Sequence, residues 1–294
     1  MLPESRGRMS KLRQQLIREM ILRGLSPRTH ESYIAHVYQL AKHFRRSPDQ
    51  ISDEEIKDYL IHIAEVRKLS ASTRNQATSA LRFFFAHVVG RPVDRLVRVL
   101  PYIRREVKRP QVFGINELEE LFTIGCTRPR DRAFLMTVYG AGLRLNEACH
   151  LKLQHLHVER HQVRVVQGKG RKDRYTLLSP RLLEELRHYW KCCRPAYWLF
   201  PSTIDPRRPI SDGTAQNIFH RAIERAGLPD RGGIHSLRHS FATHLLETGV
   251  EVTVVQRLLG HSSLNSTSTY LHVRQERMAA IAGPLQLLDL TKLS

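Results

Sequence analysis

Apolar residues in the first third of the chain recur at the spacing of amphipathic α-helices. One helix is predicted to begin at Pro27, and another after Ser52, whose side chain can form a capping box with Glu55. A third helix is predicted over residues 72–89. Together with residues 10–23, these segments predict a module of four helices.

The helical pattern stops near residue 91, where basic residues and prolines become frequent. Three prolines in this stretch interrupt regular structure: Pro92, Pro101 and Pro110. We therefore predict a helical domain over residues 1–90, a basic linker over residues 91–112, and a second domain with a C-terminal tail over residues 113–294.

The pattern after the predicted linker indicates helices mixed with two short strands. Strand-like residues 162–167 and 175–178 flank a glycine-rich turn, which predicts a β-hairpin. Helices are predicted over residues 115–125, 129–153, 180–192, 212–226, 236–248 and 251–259. The predicted fold class is therefore mainly α with a small β-sheet, as a helical N-terminal domain followed by a mixed α/β C-terminal domain.

The charge of the chain predicts a polyanionic partner. There are 47 Lys and Arg residues against 28 Asp and Glu, a formal net charge of +19. Both predicted domains are basic, which favours two domains that contact one nucleic acid. No apolar run approaches the roughly 18 residues that span a bilayer, and the N-terminus lacks the apolar core of a secretory signal. We therefore expect a cytoplasmic, nucleoid-associated protein without a membrane partner.

Five short stretches of sequence carry side chains with the chemistry for transesterification at a phosphodiester. Each has an ordinary structural explanation when it is taken alone, but the set supplies every role that this reaction needs. The residues are Arg144 after Gly142, Lys169 in the predicted hairpin turn, His235 and Arg238 at a helix start, His261 after Gly260, and Tyr270.

These residue types fit the steps of phosphoryl transfer. A tyrosine hydroxyl can attack phosphorus and form a phosphodiester that stays activated for reversal. Two guanidinium groups can hold the nonbridging oxygens, while a lysine protonates the leaving 5′ oxygen and histidines handle the tyrosine proton. Because arginine can supply the charge neutralisation usually provided by Mg²⁺, and no acidic cluster suits that ion, we expect no metal or other cofactor.

The arrangement Arg144, Lys169, His235-x-x-Arg238, Leu258-Leu259-Gly260-His261 and Tyr270 closely resembles the tyrosine recombinase, or phage integrase, family in order and spacing. Residues 24–45 also resemble the start of that family's helical, SAM-like core-binding domain. The resemblance extends over nearly the whole chain. It implies a metal- and ATP-independent DNA strand-transferase that forms a 3′-phosphotyrosine intermediate and exchanges strands through a Holliday junction in a homotetramer.

The resemblance also implies a role for each matching residue. Tyr270 is the implied nucleophile, Arg144 and Arg238 the phosphate clamp, Lys169 the general acid, and His235 and His261 the supporting acid–base and hydrogen-bonding groups. Glu147 fits an acidic position often found in the first motif, and we interpret it as a group that orients Arg144.

Three other classes of protein explain part of the pattern. A non-catalytic helix-turn-helix regulator would explain residues 251–270 and the charge, but not the remaining motifs. A type IB topoisomerase would share the tyrosine chemistry without exchanging partner strands. A zinc protein is suggested by the helical spacing of His235, His239 and His244, although the chain has no HExxH sequence there.

Within the family, a compact two-domain form is typical of mobile-element integrases and Xer-like resolvases. The expected partner is double-stranded DNA with inverted-repeat core sites, bound by a homotetramer, and an accessory protein or a second recombinase is a further candidate partner. The target sequence and the choice among phage, transposon, plasmid and chromosomal roles stay open at this point.

Overall fold

The computed structural model of the chain describes residues 10–104, 111–166 and 173–260. The chain divides into two compact units, one within residues 1–107 and the other within residues 108–294. The described residues are mainly helical, with one small sheet in the second unit, so the predicted fold class is confirmed. No helix in the described ranges is long and apolar enough to cross a membrane.

Five α-helices make up most of the first unit over residues 10–104. They are α1 Lys11–Leu22, α2 Pro27–Phe44, α3 Asp53–Glu65, α4 Ala71–Phe84 and α5 Val93–Val99. Helix α4 continues into a π-helical turn at Phe85–Val89, and Gly90 then turns the chain with a left-handed φ of 82°. The predicted capping box of Ser52 and Glu55 is present at the start of α3.

Serine residues occupy the N-cap positions of helices in both units. In each case the hydroxyl accepts a hydrogen bond from the backbone N–H three residues further along, which satisfies one of the donors that a helix start leaves unpaired. The capping serines are Ser10, Ser26, Ser52, Ser70, Ser179 and Ser211. This local chemistry explains why the predicted starts of α2 and α3 are confirmed.

Helix α5 corrects part of the predicted linker. Leu96, Val99 and Leu100 are buried in the core of the first unit, so this segment packs as a helix and not as an irregular connection. Pro92 stands at the N-cap of α5, where its missing N–H leaves no helical hydrogen bond unmade. The proline therefore starts a helix and does not break regular structure.

The second unit contains seven α-helices within the described residues. They are α6 Ile115–Glu120, α7 Pro129–Gly140, α8 Leu145–Cys149, α9 Pro180–Cys193, α10 Asp212–Arg225, α11 His235–Glu247 and α12 Val252–Leu259. Helix α6 continues into a π-helical turn at Leu121–Gly125. A large apolar core contains buried side chains of α7, α9 and α10, and a smaller separate cluster lies between α11 and α12.

Three antiparallel strands form the sheet, in the order β1 Leu156–His157, β2 Gln162–Val165 and β3 Arg174–Leu177. Strands β2 and β3 correspond to the two predicted strands, whereas β1 is too short to give a sequence signal. Val163 pairs with Thr176 and both are buried, so one face of this hairpin lies against the core. Residues 167–172, which include the predicted turn, lie outside the described residues.

The helix predicted over residues 129–153 is wrong, because the structure breaks it after α7. Gly142 has a φ of +59°, and this left-handed turn separates α7 from α8. A Cβ at Gly142 would collide with the ring of Phe241 on α11, so the turn is also a point of close packing. Buried Ala141, Leu143 and Leu145 continue the apolar pattern across the break, which is why the sequence pattern did not reveal it.

We expect Gly142→Ala to destabilise the protein more than Gly227→Ala does. Both glycines have a left-handed φ, so both substitutions should lose roughly 1–2 kcal/mol of unfolding free energy. A methyl group added at Gly227 would have no atom within 4 Å, whereas one at Gly142 would face Phe241, so Gly142→Ala should lose a further ~1–3 kcal/mol. Urea unfolding of both variants measures the difference, and equal losses would contradict the packing argument.

Candidate active site

Arg144 stands at the start of helix α8. The helix predicted over residues 129–153 had placed it inside a helix instead. Arg144 occupies the N-cap position, where its backbone N–H donates to Glu147 Oε2 at 2.8 Å. Its guanidinium donates to Glu147 Oε1 at 2.8 Å through Nη1 and to the Gly260 carbonyl at 3.3 Å through Nη2. Glu147 therefore fixes both the backbone and the side chain of Arg144, as interpreted from the first motif.

Arg238 projects from the first turns of α11 and is buried. Its Nη1 donates to the Gly142 carbonyl and its Nη2 to the Leu259 carbonyl, each at 2.6 Å. The Gly142 carbonyl lies just after α7, and the Leu259 carbonyl belongs to the last residue of α12. Both lie at helix C-termini, where the helix dipole carries partial negative charge. The guanidinium is thus held between two helix ends, and its Nη1 lies 3.7 Å from Glu147 Oε2.

Glu147 is the carboxylate that these arginines share. Its side chain is only 9% exposed, and burial alone would favour the neutral acid. The pKa of Glu147 is nevertheless lowered to about 2: burial opposes this shift, whereas hydrogen bonds and charge from Arg174 and then hydrogen bonds from Arg144 drive it. The carboxylate is therefore ionised at neutral pH and stabilises several guanidinium groups at once.

Arg174 is a member of this cluster that the motif pattern did not identify. It is the first residue of β3, its side chain is 9% exposed, and its two Nη atoms donate to the two oxygens of Glu147 at 2.8 and 2.7 Å. An arginine after a basic turn gives no sequence signal that separates it from an exposed surface residue. Arg174 could be identified as part of the cluster only from the structure, which places β3 beside α12 and α8.

His235 is the first residue of α11 and lies near Arg238 and Arg144. Burial lowers the pKa of its imidazole below the ordinary value, and the two arginines lower it further, Arg238 more than Arg144. Asp212 and Glu147 act in the opposite direction with smaller effect. His235 is therefore neutral at physiological pH, so that one ring nitrogen can accept a proton while the other donates.

The remaining three predicted site residues, Lys169, His261 and Tyr270, lie outside the described residues. The structure describes the residues directly before His261, however. Helix α12 ends at Gly260 with a left-handed φ of 63°, and its last carbonyls accept hydrogen bonds from the two clamp candidates, Leu259 from Arg238 and Gly260 from Arg144. Arg144 and Arg238 are thus brought together at the end of α12, and His235 lies near both arginines.

The histidines that suggested a zinc site do not form one in the described part of the second unit. His244 Nδ1 lies 3.0 Å from the hydroxyl oxygen of Tyr139, and its ring meets the Tyr139 ring edge to face. The described ranges contain no group of three or more His, Cys, Asp or Glu side chains arranged to hold a metal ion.

Comparisons of sequence identify relatives along most of the chain. A profile described as the phage integrase family matches residues 111–277, and one described as the phage integrase N-terminal SAM-like domain matches residues 12–95. The tyrosine recombinase of Pseudothermotoga lettingae is 34% identical over 280 residues, 91% of this chain and 95% of that protein. The protein y4qK of Sinorhizobium fredii is 39% identical over 284 residues, 95% of this chain and 90% of that protein.

Comparisons of structure identify the same fold in two other integrases. A Tn1549 transposon integrase in complex with circular intermediate DNA has a TM-score of 0.71 and 18% identity, covering 92% of this chain and 99% of that chain. A lambda integrase dimer bound to a core site has a TM-score of 0.68 and 23% identity, covering 85% of this chain and 94% of that chain. At these identities the likeness establishes the fold alone.

The chain therefore belongs to the phage integrase family, as the order and spacing of its motifs predicted. It is a DNA strand-transferase, and its activity is site-specific recombination. Of the other classes considered from the sequence, neither the helix-turn-helix regulator nor the topoisomerase is favoured by these matches.

We expect the stabilising effect of the Glu147 carboxylate to disappear in acid. Because its pKa in the folded chain is below its ordinary value of 4.5, the stabilisation is fully present above that value and is lost as pH falls toward about 2. Glu147→Gln should therefore be less stable than the parent chain near neutral pH, and the difference should shrink below the ordinary pKa. Urea unfolding across this pH range measures it.

Glu159→Gln is the matched control, since Glu159 is an exposed acid of the same unit. Its difference from the parent should be small at every pH. A loss in Glu147→Gln that stayed constant down to the lowest pH would contradict the ionised, arginine-bound carboxylate.

Proposed function

We propose that the chain recombines DNA by covalent catalysis with Tyr270 as nucleophile. Arg144 and Arg238 bind the scissile phosphate, Lys169 protonates the leaving 5′ oxygen, and His235 and His261 assist proton transfer and hydrogen-bond the phosphate. The proposal combines the family membership of the chain with the geometry of the described residues around Glu147.

The observation that carries the proposal is the excess of positive charge around one carboxylate. Arg144, Arg174 and Arg238 all form ion pairs with Glu147, so three guanidinium groups converge on a single negative charge. Such a cluster is electrostatically favourable for a further anion, and a phosphodiester brings one negative charge with oxygens that match guanidinium geometry. Positive groups fixed in advance stabilise the charge that develops during phosphoryl transfer.

The reaction follows from these assignments with atoms and charge in balance. The Tyr270 hydroxyl oxygen attacks phosphorus, the bond from phosphorus to the 5′ oxygen breaks, and the tyrosine becomes esterified to the 3′ phosphate. The tyrosine proton passes to a histidine, for which neutral His235 is suited, and Lys169 gives a proton to the leaving 5′ oxygen. Attack by the 5′ hydroxyl of a partner strand reverses the step on a new strand, so no ATP is consumed.

The proposed partner is duplex DNA with inverted-repeat core sites. The lambda integrase structure is a dimer bound to a core site, and a XerH recombinase of the same fold is bound to a palindromic substrate. A net charge of +19 suits the same kind of ligand. Exchange of two strand pairs requires four nucleophiles, which is the reason for proposing a homotetramer on synapsed DNA. Action in the cytoplasm at the nucleoid follows from this partner.

The proposal predicts a covalent protein–DNA adduct that depends on Tyr270. Duplex fragments from the region around the gene, each nicked so that the cleaved end is lost by diffusion, are incubated with the protein in the presence of EDTA and then resolved on denaturing gels. The parent chain should form an adduct on fragments that share one short inverted repeat, and Tyr270→Phe should form none.

DNA binding by both proteins, measured by gel shift, separates the outcomes of this experiment. Sequence-specific binding with no adduct from the parent chain would contradict the proposal and favour a regulatory DNA-binding protein. An adduct on every fragment irrespective of sequence would favour a topoisomerase.

We further expect Arg144→Lys to reduce the single-turnover cleavage rate while leaving DNA affinity nearly unchanged. Lysine keeps the charge but cannot present two parallel N–H groups to a phosphate, and loss of one such stabilising donor slows enzymes by about 100-fold or more. Arg132→Lys is the control, because it makes the same change at an arginine that is not a candidate site residue. Arg132 is ion-paired with Glu185, at 2.8 Å, between α7 and α9. Equal rates for the two variants would contradict the assignment of Arg144.

A further inference from the structure

We propose that Arg174 is a positioning residue for the phosphate clamp. It holds the carboxylate of Glu147 in place and compensates its negative charge. The positive charges of Arg144 and Arg238 then stay available to bind the DNA phosphate. This inference rests on the function proposed above and concerns a residue outside the motif pattern.

The guanidinium of Arg174 binds Glu147 more completely than the guanidinium groups of the other two arginines do. Its two Nη atoms donate to separate carboxylate oxygens at 2.8 and 2.7 Å, the bidentate geometry in which arginine–carboxylate pairs are strongest. The side chain of Arg144 contacts one of these oxygens, at 2.8 Å, and Arg238 lies at 3.7 Å from the other. The charge of Glu147 is therefore compensated mainly by the Arg174 guanidinium, while the neutral backbone N–H of Arg144 also donates to Oε2 at 2.8 Å.

The three arginines differ in how many of their Nη hydrogen bonds go to the Glu147 carboxylate. The Nη atoms of Arg238 donate to the neutral carbonyls of Gly142 and Leu259, and Arg144 divides its bonds between Glu147 and the Gly260 carbonyl. A neutral carbonyl orients a guanidinium without cancelling its charge. Arg174 alone of the three makes both Nη contacts with a carboxylate, so its own charge is compensated where it stands.

Without Arg174, Glu147 would compete with the phosphate. An ionised, buried carboxylate that lost its bidentate partner would be held by Arg144 and Arg238 instead, since a buried charge left unpaired is costly. The positive potential available to a DNA phosphate at those two arginines would then fall. The expected consequence is a slower chemical step and not weaker binding of the DNA as a whole, whose affinity depends on many phosphate contacts.

Arg174 also supports the backbone that the clamp arginines bind. Its Nε donates to the Leu258 carbonyl at 2.8 Å, and a Cβ on Gly260 would lie 2.6 Å from Arg174 Cδ. The neighbouring carbonyls of Leu259 and Gly260 accept from Arg238 and Arg144. One buried side chain thus touches both the carboxylate and the end of α12, from which His261 follows directly in sequence.

The test compares Arg174→Gln, Glu147→Gln and the double variant with the parent chain. The probe is a nicked duplex carrying the inverted repeat on which the parent chain forms its adduct, and the readouts are the single-turnover cleavage rate and the affinity by gel shift. Arg174→Gln should cleave about 10- to 100-fold more slowly than the parent, the range expected for displaced catalytic groups, at nearly unchanged affinity.

The double variant separates positioning by charge from a purely structural role. Removing both members of the pair leaves no buried carboxylate to compete for the clamp, and Arg144 and Arg238 keep their hydrogen bonds to the carbonyls at the helix ends. It should therefore cleave faster than Arg174→Gln, with recovery of about tenfold. A double variant as slow as or slower than Arg174→Gln would overturn the proposal, and so would an Arg174→Gln rate equal to that of the parent. Arg174→Lys, which keeps the charge but not the bidentate contact, should lie between parent and Arg174→Gln.

A second substrate distinguishes the clamp from proton transfer. In this duplex, sulfur replaces the bridging 5′ oxygen at the scissile phosphate, so the leaving group needs no general acid. Arg174→Gln should stay slow on it, because the phosphate must still be bound. A return to the parent rate would assign the effect of Arg174 to proton transfer to the leaving group and would overturn the proposal.

The control variants distinguish a failure of the proposed function from a failure of the role proposed for Arg174. Arg132→Gln breaks another arginine–carboxylate pair of the same unit and should cleave at the parent rate. Failure of the parent chain to form any adduct would count against the proposed function, whereas a parent chain that cleaves together with an equally fast Arg174→Gln would count against the role of Arg174 alone.

Discussion

The site depends on one buried ion cluster, in which the Glu147 carboxylate is shared by Arg144, Arg174 and Arg238. A buried carboxylate is costly unless it is paired and hydrogen-bonded, and these arginines supply both conditions. The same cluster joins helix α8, strand β3 and helix α11, which are far apart in sequence. It therefore couples the folding of the second unit to the assembly of a region of surplus positive charge.

Helix ends provide the rest of the support. Arg238 lies between the carbonyl that follows α7 and one at the end of α12, and both ends are shaped by a glycine in the left-handed conformation, Gly142 and Gly260. A side chain at either glycine would meet Phe241 or Arg174. The glycines of the sequence motifs thus have a physical purpose, since they let the backbone turn and bring its carbonyls within reach of buried guanidinium groups.

The sequence predicted what depends on local chemistry and on the order of the motifs. Pro27 and the capping box of Ser52 located the starts of α2 and α3, and strand-like residues on either side of a glycine-rich turn located β2 and β3. The pattern failed where a tertiary contact decides the structure. Apolar residues continued across the break at Gly142, Pro92 began a helix that was expected to be linker, and Arg174 became part of the site only through the position of β3 beside α12. Arg144 and Arg238 were predicted as functional residues, but their link to Arg174 through one carboxylate depends on the three-dimensional packing of the second unit.

The most direct test of the account is the chemical identity of the covalent link. The adduct formed by the parent chain on a nicked duplex would be digested with protease and nuclease, and the modified peptide sequenced by mass spectrometry. We predict a single nucleotide esterified through its 3′ phosphate to the hydroxyl of Tyr270, with a free 5′ hydroxyl on the released strand. A link to another residue, or a phosphate left on the 5′ end, would contradict it.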